Sequence, residues 1–143
     1  MKPNYLTILI TTLCIFFNAC HNSNTAPQLQ LADSLIDKRA DSALCILEKL
    51  SIEEISNKSA KAMYALLLTE ALDKNFKSHR NDSLILIAVD YYKDNSNNKL
   101  KTKAYYYLGR VYQDNKEYIK ATEAYLTALK TCLLYTSPSP RDT

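Results

Sequence analysis

Lys101 to Lys130 reads KTKAYYYLGRVYQDNKEYIKATEAYLTALK, and this stretch decides the fold. Apolar residues fall at Tyr105, Leu108, Val111 and Tyr112, the spacing of one face of an α-helix. Asp114-Asn115-Lys116 interrupts the pattern, and Tyr118, Ala121, Ala124, Tyr125 and Ala128 resume it. Two helices joined by so short a turn lie antiparallel. Gly109 costs ~1 kcal/mol relative to Ala in a helix interior. It makes sense where the neighbouring helix leaves no room for a Cβ. Ala121 and Ala128, close to two turns apart, let that helix approach, while Tyr105, Tyr112 and Tyr125 fill the space beside them.

The rest of the chain agrees with a helical reading. Its 143 residues suit one domain, and a hydrophobic share of 47% supports a packed core. Gly109 is the only glycine, and no proline occurs between Gln28 and Ser137. Hairpin-rich β folds depend on Gly and Pro turns, and phosphate-cradling nucleotide loops need several glycines. Both classes are excluded, which leaves an all-α chain. Lys plus Arg number 18 against 15 Asp plus Glu, a net charge of +3 that is too small to imply nucleic-acid binding. The expected helices cover 28–38, 42–50, 58–74, 82–94, 98–113 and 117–131.

The segment from Thr102 resembles a tetratricopeptide repeat (TPR). The 34-residue pattern of that family wants an aromatic, Leu-Gly, Tyr, Ala, an aromatic and Ala. Here these fall on Tyr105, Leu108-Gly109, Tyr112, Ala121, Tyr125 and Ala128. The family's closing proline is missing, since its position is Leu133. The resemblance implies antiparallel hairpins stacked as a right-handed superhelix, here about two and a half repeats over residues 28–131. It also implies a groove for a protein or peptide partner, carried over to Lys103, Tyr106, Arg110 and Gln113. Lys61, Tyr64 and Leu68 would extend that surface.

Upstream the repeat is weaker. Lys61-Ala62-Met63-Tyr64-Ala65-Leu66 echoes Lys103 to Leu108 at an offset of 42, and Asp41-Ser42-Ala43-Leu44 echoes Asp82-Ser83-Leu84. In that second echo an Asp precedes the apolar run, as an N-cap would. Helix 58–74 carries two apolar stripes, Met63, Leu66, Leu67 and Ala71 beside Tyr64, Leu68 and Leu72, so it is expected to be buried on both sides. The last helix is expected to leave Ala124, Leu126 and Leu129 open, making the chain marginal or aggregation-prone by itself.

The two ends differ from the middle. Lys2 and the apolar run Tyr5–Phe17 read as a signal peptide over residues 1–19, since the run is too short to span a bilayer. Phe17-Asn18-Ala19-Cys20 resembles the lipobox of bacterial lipoproteins, with Phe17 and Asn18 as departures. It implies lipidation of Cys20, a membrane anchor, followed by a polar tether over 20–27. The tether lacks an acidic cluster after Cys20 resembling the surface-export signal of Bacteroidetes lipoproteins, so a periplasm-facing place in the cell envelope is expected. Cys132 to Asp142, CLLYTSPSPRD, resembles the translation of a transposase adapter used in shotgun sequencing. On that reading residues 132–143 are an artefact and the natural protein continues past Thr131.

Catalytic, metal and cofactor chemistry is not expected. His79 beside Arg80 reads as a solvated loop histidine, Glu53-Glu54 as surface charges and Cys45 as a small core residue. Lys99, Lys101 and Lys103 precede an aromatic-rich helix, but those aromatics match packing sites, so no nucleic-acid partner is expected. The reading is a non-enzymatic, lipid-anchored TPR scaffold for protein–protein interaction, with the input part of a longer signalling protein as its variant. The alternative is a SusD-like outer-membrane glycan-binding lipoprotein, which the absence of Trp disfavours.

Overall fold

The computed structural model describes residues 25–79 and 81–136; the signal segment, Cys20 and the residues after Thr136 lie outside them. Six α-helices follow one another: α1 (Thr25–Leu35), α2 (Ala40–Leu47), α3 (Lys58–Lys74), α4 (Ser83–Tyr92), α5 (Asn98–Asp114) and α6 (Tyr118–Thr136). A 3-10 turn at Ile52–Glu54 links α2 to α3, and no strand occurs among the described residues. The fold is all-α, as composition and periodicity require. The helix α1 starts inside the stretch read as a tether. Pro27 is no obstacle, because the first-turn N–H groups of a helix have no internal partner. The helix α6 runs on through residues 132–136.

The helices associate as three consecutive pairs. Each first helix of a later pair touches its own partner and both helices of the pair before it: α3 meets α4, α2 and α1, and α5 meets α6, α4 and α3. Alanines make this closeness possible. Ala32, Ala43, Ala62, Ala65, Ala71, Ala88 and Ala104 are all fully buried.

Two cores result, and α3 serves both. Its Tyr64, Leu67 and Ala71 pack with Leu29, Ile36, Leu44 and Leu47 of the first pair. Its Ala62, Ala65 and Leu66 pack with Ile85, Ala88 and Tyr92 of α4 and Ala104, Leu108 and Val111 of α5. The expected double burial is observed, but adjacent Leu66 and Leu67 face different cores, since a helix turns about 100° per residue. Tyr64 is buried and its hydroxyl donates to the Leu50 carbonyl at 3.2 Å, so it cannot extend the groove.

Capping also differs from expectation. Asn57 and Asn97 cap α3 and α5 through side-chain bonds to backbone N–H groups. Asp82 occupies the N-cap position of α4 without such a bond, and Asn81 accepts from Ser83 N at 3.1 Å instead. Asp41 lies within the first turn of α2, where its charge suits the helix dipole. Cys45 is exposed: Leu44 and Leu47 occupy the buried face of α2, and the residue after Leu44 points away from it.

Candidate functional site

Helices α5 and α6 approach each other closely at Gly109. A Cβ built on Gly109 would lie 2.4 Å from a ring carbon of Tyr125. The glycine therefore exists to admit that ring, as expected. Leu108, Ala121 and Ala128 are buried around the contact, and Tyr105 and Tyr112 are half-buried against the same core. The signature residues of the hairpin thus all serve its packing.

Seating Tyr125 on Gly109 leaves a groove beside it, about 840 Å³ in volume. From α5 come Lys99, Thr102, Lys103, Tyr106, Tyr107, Arg110 and Gln113; from α6 come Tyr125, Ala128, Leu129 and Cys132, the last inside the stretch read as an adapter translation. All four residues named from the sequence, Lys103, Tyr106, Arg110 and Gln113, meet in this groove. Tyr106 is 45% exposed and its ring lies 5.8 Å from that of Tyr125. The α6 wall carries no local signature in the sequence. Leu126 and Leu129 are open as expected, whereas Ala124 is buried in the core.

The cations of the groove are not idle. Glu70 on α3 is buried, and Lys103 Nζ lies 2.5 Å from its Oε2, as an ion pair rather than a directed hydrogen bond. Lys74 Nζ approaches the other oxygen at 3.3 Å. Burial, then the neighbouring Glu70 carboxylate, pushes the Tyr107 phenol far above its usual range. Arg110 donates from Nε to Asp73 Oδ1 at 2.8 Å and from Nη1 to Gln113 Oε1 at 3.1 Å. That hydrogen bond to Asp73 raises the Arg110 pKa against the opposing cost of burial. The Tyr125 hydroxyl donates to the same Gln113 oxygen at 2.9 Å. A polar chain therefore runs from α3 across α5 to α6 and fixes the groove floor. Lysine has three N–H donors and arginine five, so each cation keeps donors beyond these contacts.

His79 overturns its expected place in solvent. It is buried, with Nδ1 2.8 Å from Asp114 Oδ2 and Nε2 3.1 Å from the Thr69 carbonyl. The ring ties the α3–α4 loop to the end of α5, a contact across 35 residues that no local pattern announces. Glu53 and Glu54 are exposed, as expected. No group of three or more His, Cys, Asp or Glu able to hold a metal occurs among the described residues. No described helix is long and apolar enough to cross a membrane. Comparison with protein-family models, curated proteins and solved structures finds no match to the chain.

Proposed function

We propose that this chain is a non-enzymatic TPR-like scaffold, held in a bacterial cell envelope by lipid on Cys20, that binds a protein partner in the α5–α6 groove. The hairpins would coil as a right-handed superhelix of the TPR kind. The observation that carries the reading is the groove itself. It collects Lys103, Tyr106, Arg110 and Gln113 on a floor fixed by internal hydrogen bonds, with Tyr106 and Leu129 open to a ligand. Exposed aromatic surface beside oriented cations suits protein recognition.

One experiment tests anchor and groove together. The full chain, exported in a bacterium fed a palmitate analogue, carries a photo-crosslinking residue at position 106 or, for comparison, at exposed position 49. Label on the chain, lost with Cys20→Ala, and a discrete adduct from position 106 alone are expected. An unlabelled chain overturns the anchor; identical adducts from both positions, or none, overturn the groove.

A further inference from the structure

A histidine ring held between two acceptors must carry two protons. The His79 side chain is only 4% exposed, so neither ring nitrogen can turn to water instead. Nδ1 lies 2.8 Å from Asp114 Oδ2 on α5, and Nε2 lies 3.1 Å from the Thr69 carbonyl within α3. A peptide carbonyl only accepts, so Nε2 donates to it. Asp114 Oδ2 also accepts, since the His79 backbone N–H donates to the same oxygen at 3.4 Å. A neutral imidazole has one N–H and one lone pair. Either tautomer would set that lone pair against an oxygen. Only the imidazolium donates to both.

This placement argues for holding, not catalysis. Ser78, His79 and Asp114 are the residue types of a hydrolytic triad, but the nitrogen that would take a serine's proton already donates to Thr69. The two acceptors stand on α3 and α5, and His79 itself lies in the α3–α4 connection, so one ring joins three elements. The neighbouring charges are engaged elsewhere. Leu72, Leu84 and Val111 help to wall the cavity of about 320 Å³ beside the ring. Asp73 and Arg110, in the cleft next to Asp114, are bonded to each other, and Lys77 is paired with Glu48. Asp82, at the start of α4, acts on Tyr112 and Lys120. Asp114 is the carboxylate that meets the ring.

We infer that His79 is a proton latch: the connection at 75–79 is held to α3 and α5 only while both ring nitrogens are protonated, and is released when one proton leaves. Above about pH 6.5 a released imidazole is neutral. The held state then binds one proton more than the released state, so release is favoured as pH rises, by about tenfold per pH unit. The test uses the full chain with 15N-labelled histidine, in which His21 is the only other histidine. Ring nitrogen shifts are followed by NMR over about pH 5 to 8, together with amide exchange across 75–79 corrected for its intrinsic pH dependence. Both nitrogens of His79 are expected to be protonated wherever the connection is protected, with release growing about tenfold per pH unit above about pH 6.5. Asp114→Asn separates the latch from packing. Its amide can donate to a neutral Nδ1 while Nε2–H keeps Thr69, at the expense of the long backbone bond. The connection then stays held around a neutral ring, and the pH dependence disappears. His79→Gln, with no ring proton to lose, should be released to the same extent at every pH. A single protonated ring nitrogen while the connection remains protected overturns the inference. So does protection that ignores pH in the parent, or a parent-like slope in Asp114→Asn.

Discussion

A single missing methyl lets the Tyr125 ring of α6 seat on α5. Alanine has the better helix propensity by ~1 kcal/mol, yet Gly109→Ala would drive a carbon into the Tyr125 ring, 2.4 Å away. Overpacking of this kind costs about 1–3 kcal/mol, so the substitution destabilises in urea unfolding. In a Tyr125→Ala background the obstacle is gone and the same change becomes stabilising. A penalty of equal size in both backgrounds would show that the ring is not its cause. Glu70 poses the electrostatic counterpart. Its carboxylate is 2% exposed and serves Lys74 and Lys103 together, which are 30% and 26% exposed. Glu70→Gln leaves both ammonium groups against a neutral amide. Because both lysines can swing partly into water, the expected loss is about 2 kcal/mol, less than for a fully enclosed pair. A thermal melt unchanged within error would mean that the pair contributes nothing.

Helices and their connections obey different rules, and His79 shows where they part. The loop after α3 leaves through Asn75 and Phe76, the latter at φ 56° with its side chain 99% exposed. His79 anchors the following residues through Asp114 and Thr69, while Lys77 adds a backbone bond to the Leu72 carbonyl and an ion pair with Glu48. His79→Ala removes both bonds and opens a cavity under the loop. A cost of about 2 kcal/mol follows, with faster amide exchange in 75–82 than in α6; exchange unaltered in the loop would sink this account. The six helices were legible in the sequence because their apolar spacing is local: 58–74 agrees with α3, and 98–113 with α5 within one residue. Gly109 was legible too, since an isolated helical glycine asks for a close neighbour. Register was not. The 42-residue echo matched letters, whereas the caps and buried faces align at 40. His79 and Cys45 were misplaced for the same reason. Their surroundings depend on how helices are rotated against one another, and periodicity within one helix leaves that open. For the groove, the α5 face was legible and the α6 wall was not, because its inclusion follows from where Tyr125 seats.

At the scale of the whole molecule, tyrosine joins the pairs, and tyrosine makes the assembly sensitive to alkali. Tyr64, Tyr92 and Tyr107 are at most 6% exposed, and for each burial is the largest influence raising the pKa above 10.0. Nearby carboxylates add to it for all three, Glu53 and Glu48 for Tyr64, Asp33 for Tyr92 and Glu70 for Tyr107, with Tyr91 also adding at Tyr92. In the unfolded chain these phenols ionise near 10. Above that pH the unfolded state has released protons that the folded state still holds. It binds fewer protons, so stability falls as pH rises, by up to about 1.4 kcal/mol per pH unit for each tyrosine. Below pH 10 both states keep the protons and the effect vanishes. The chain should therefore lose helical ellipticity cooperatively above pH 10, in step with phenolate absorbance. Tyr107→Phe separates this from general alkaline damage. At pH 7 it forfeits the hydroxyl's interaction with Glu70, a loss of about 1 kcal/mol. Above pH 10 it also removes one proton-linked penalty, so its deficit against the parent shrinks and then reverses. A deficit constant from pH 7 to 11 would show that the buried phenol ionises as readily folded as unfolded, and that its seat between the second and third pairs is open to water.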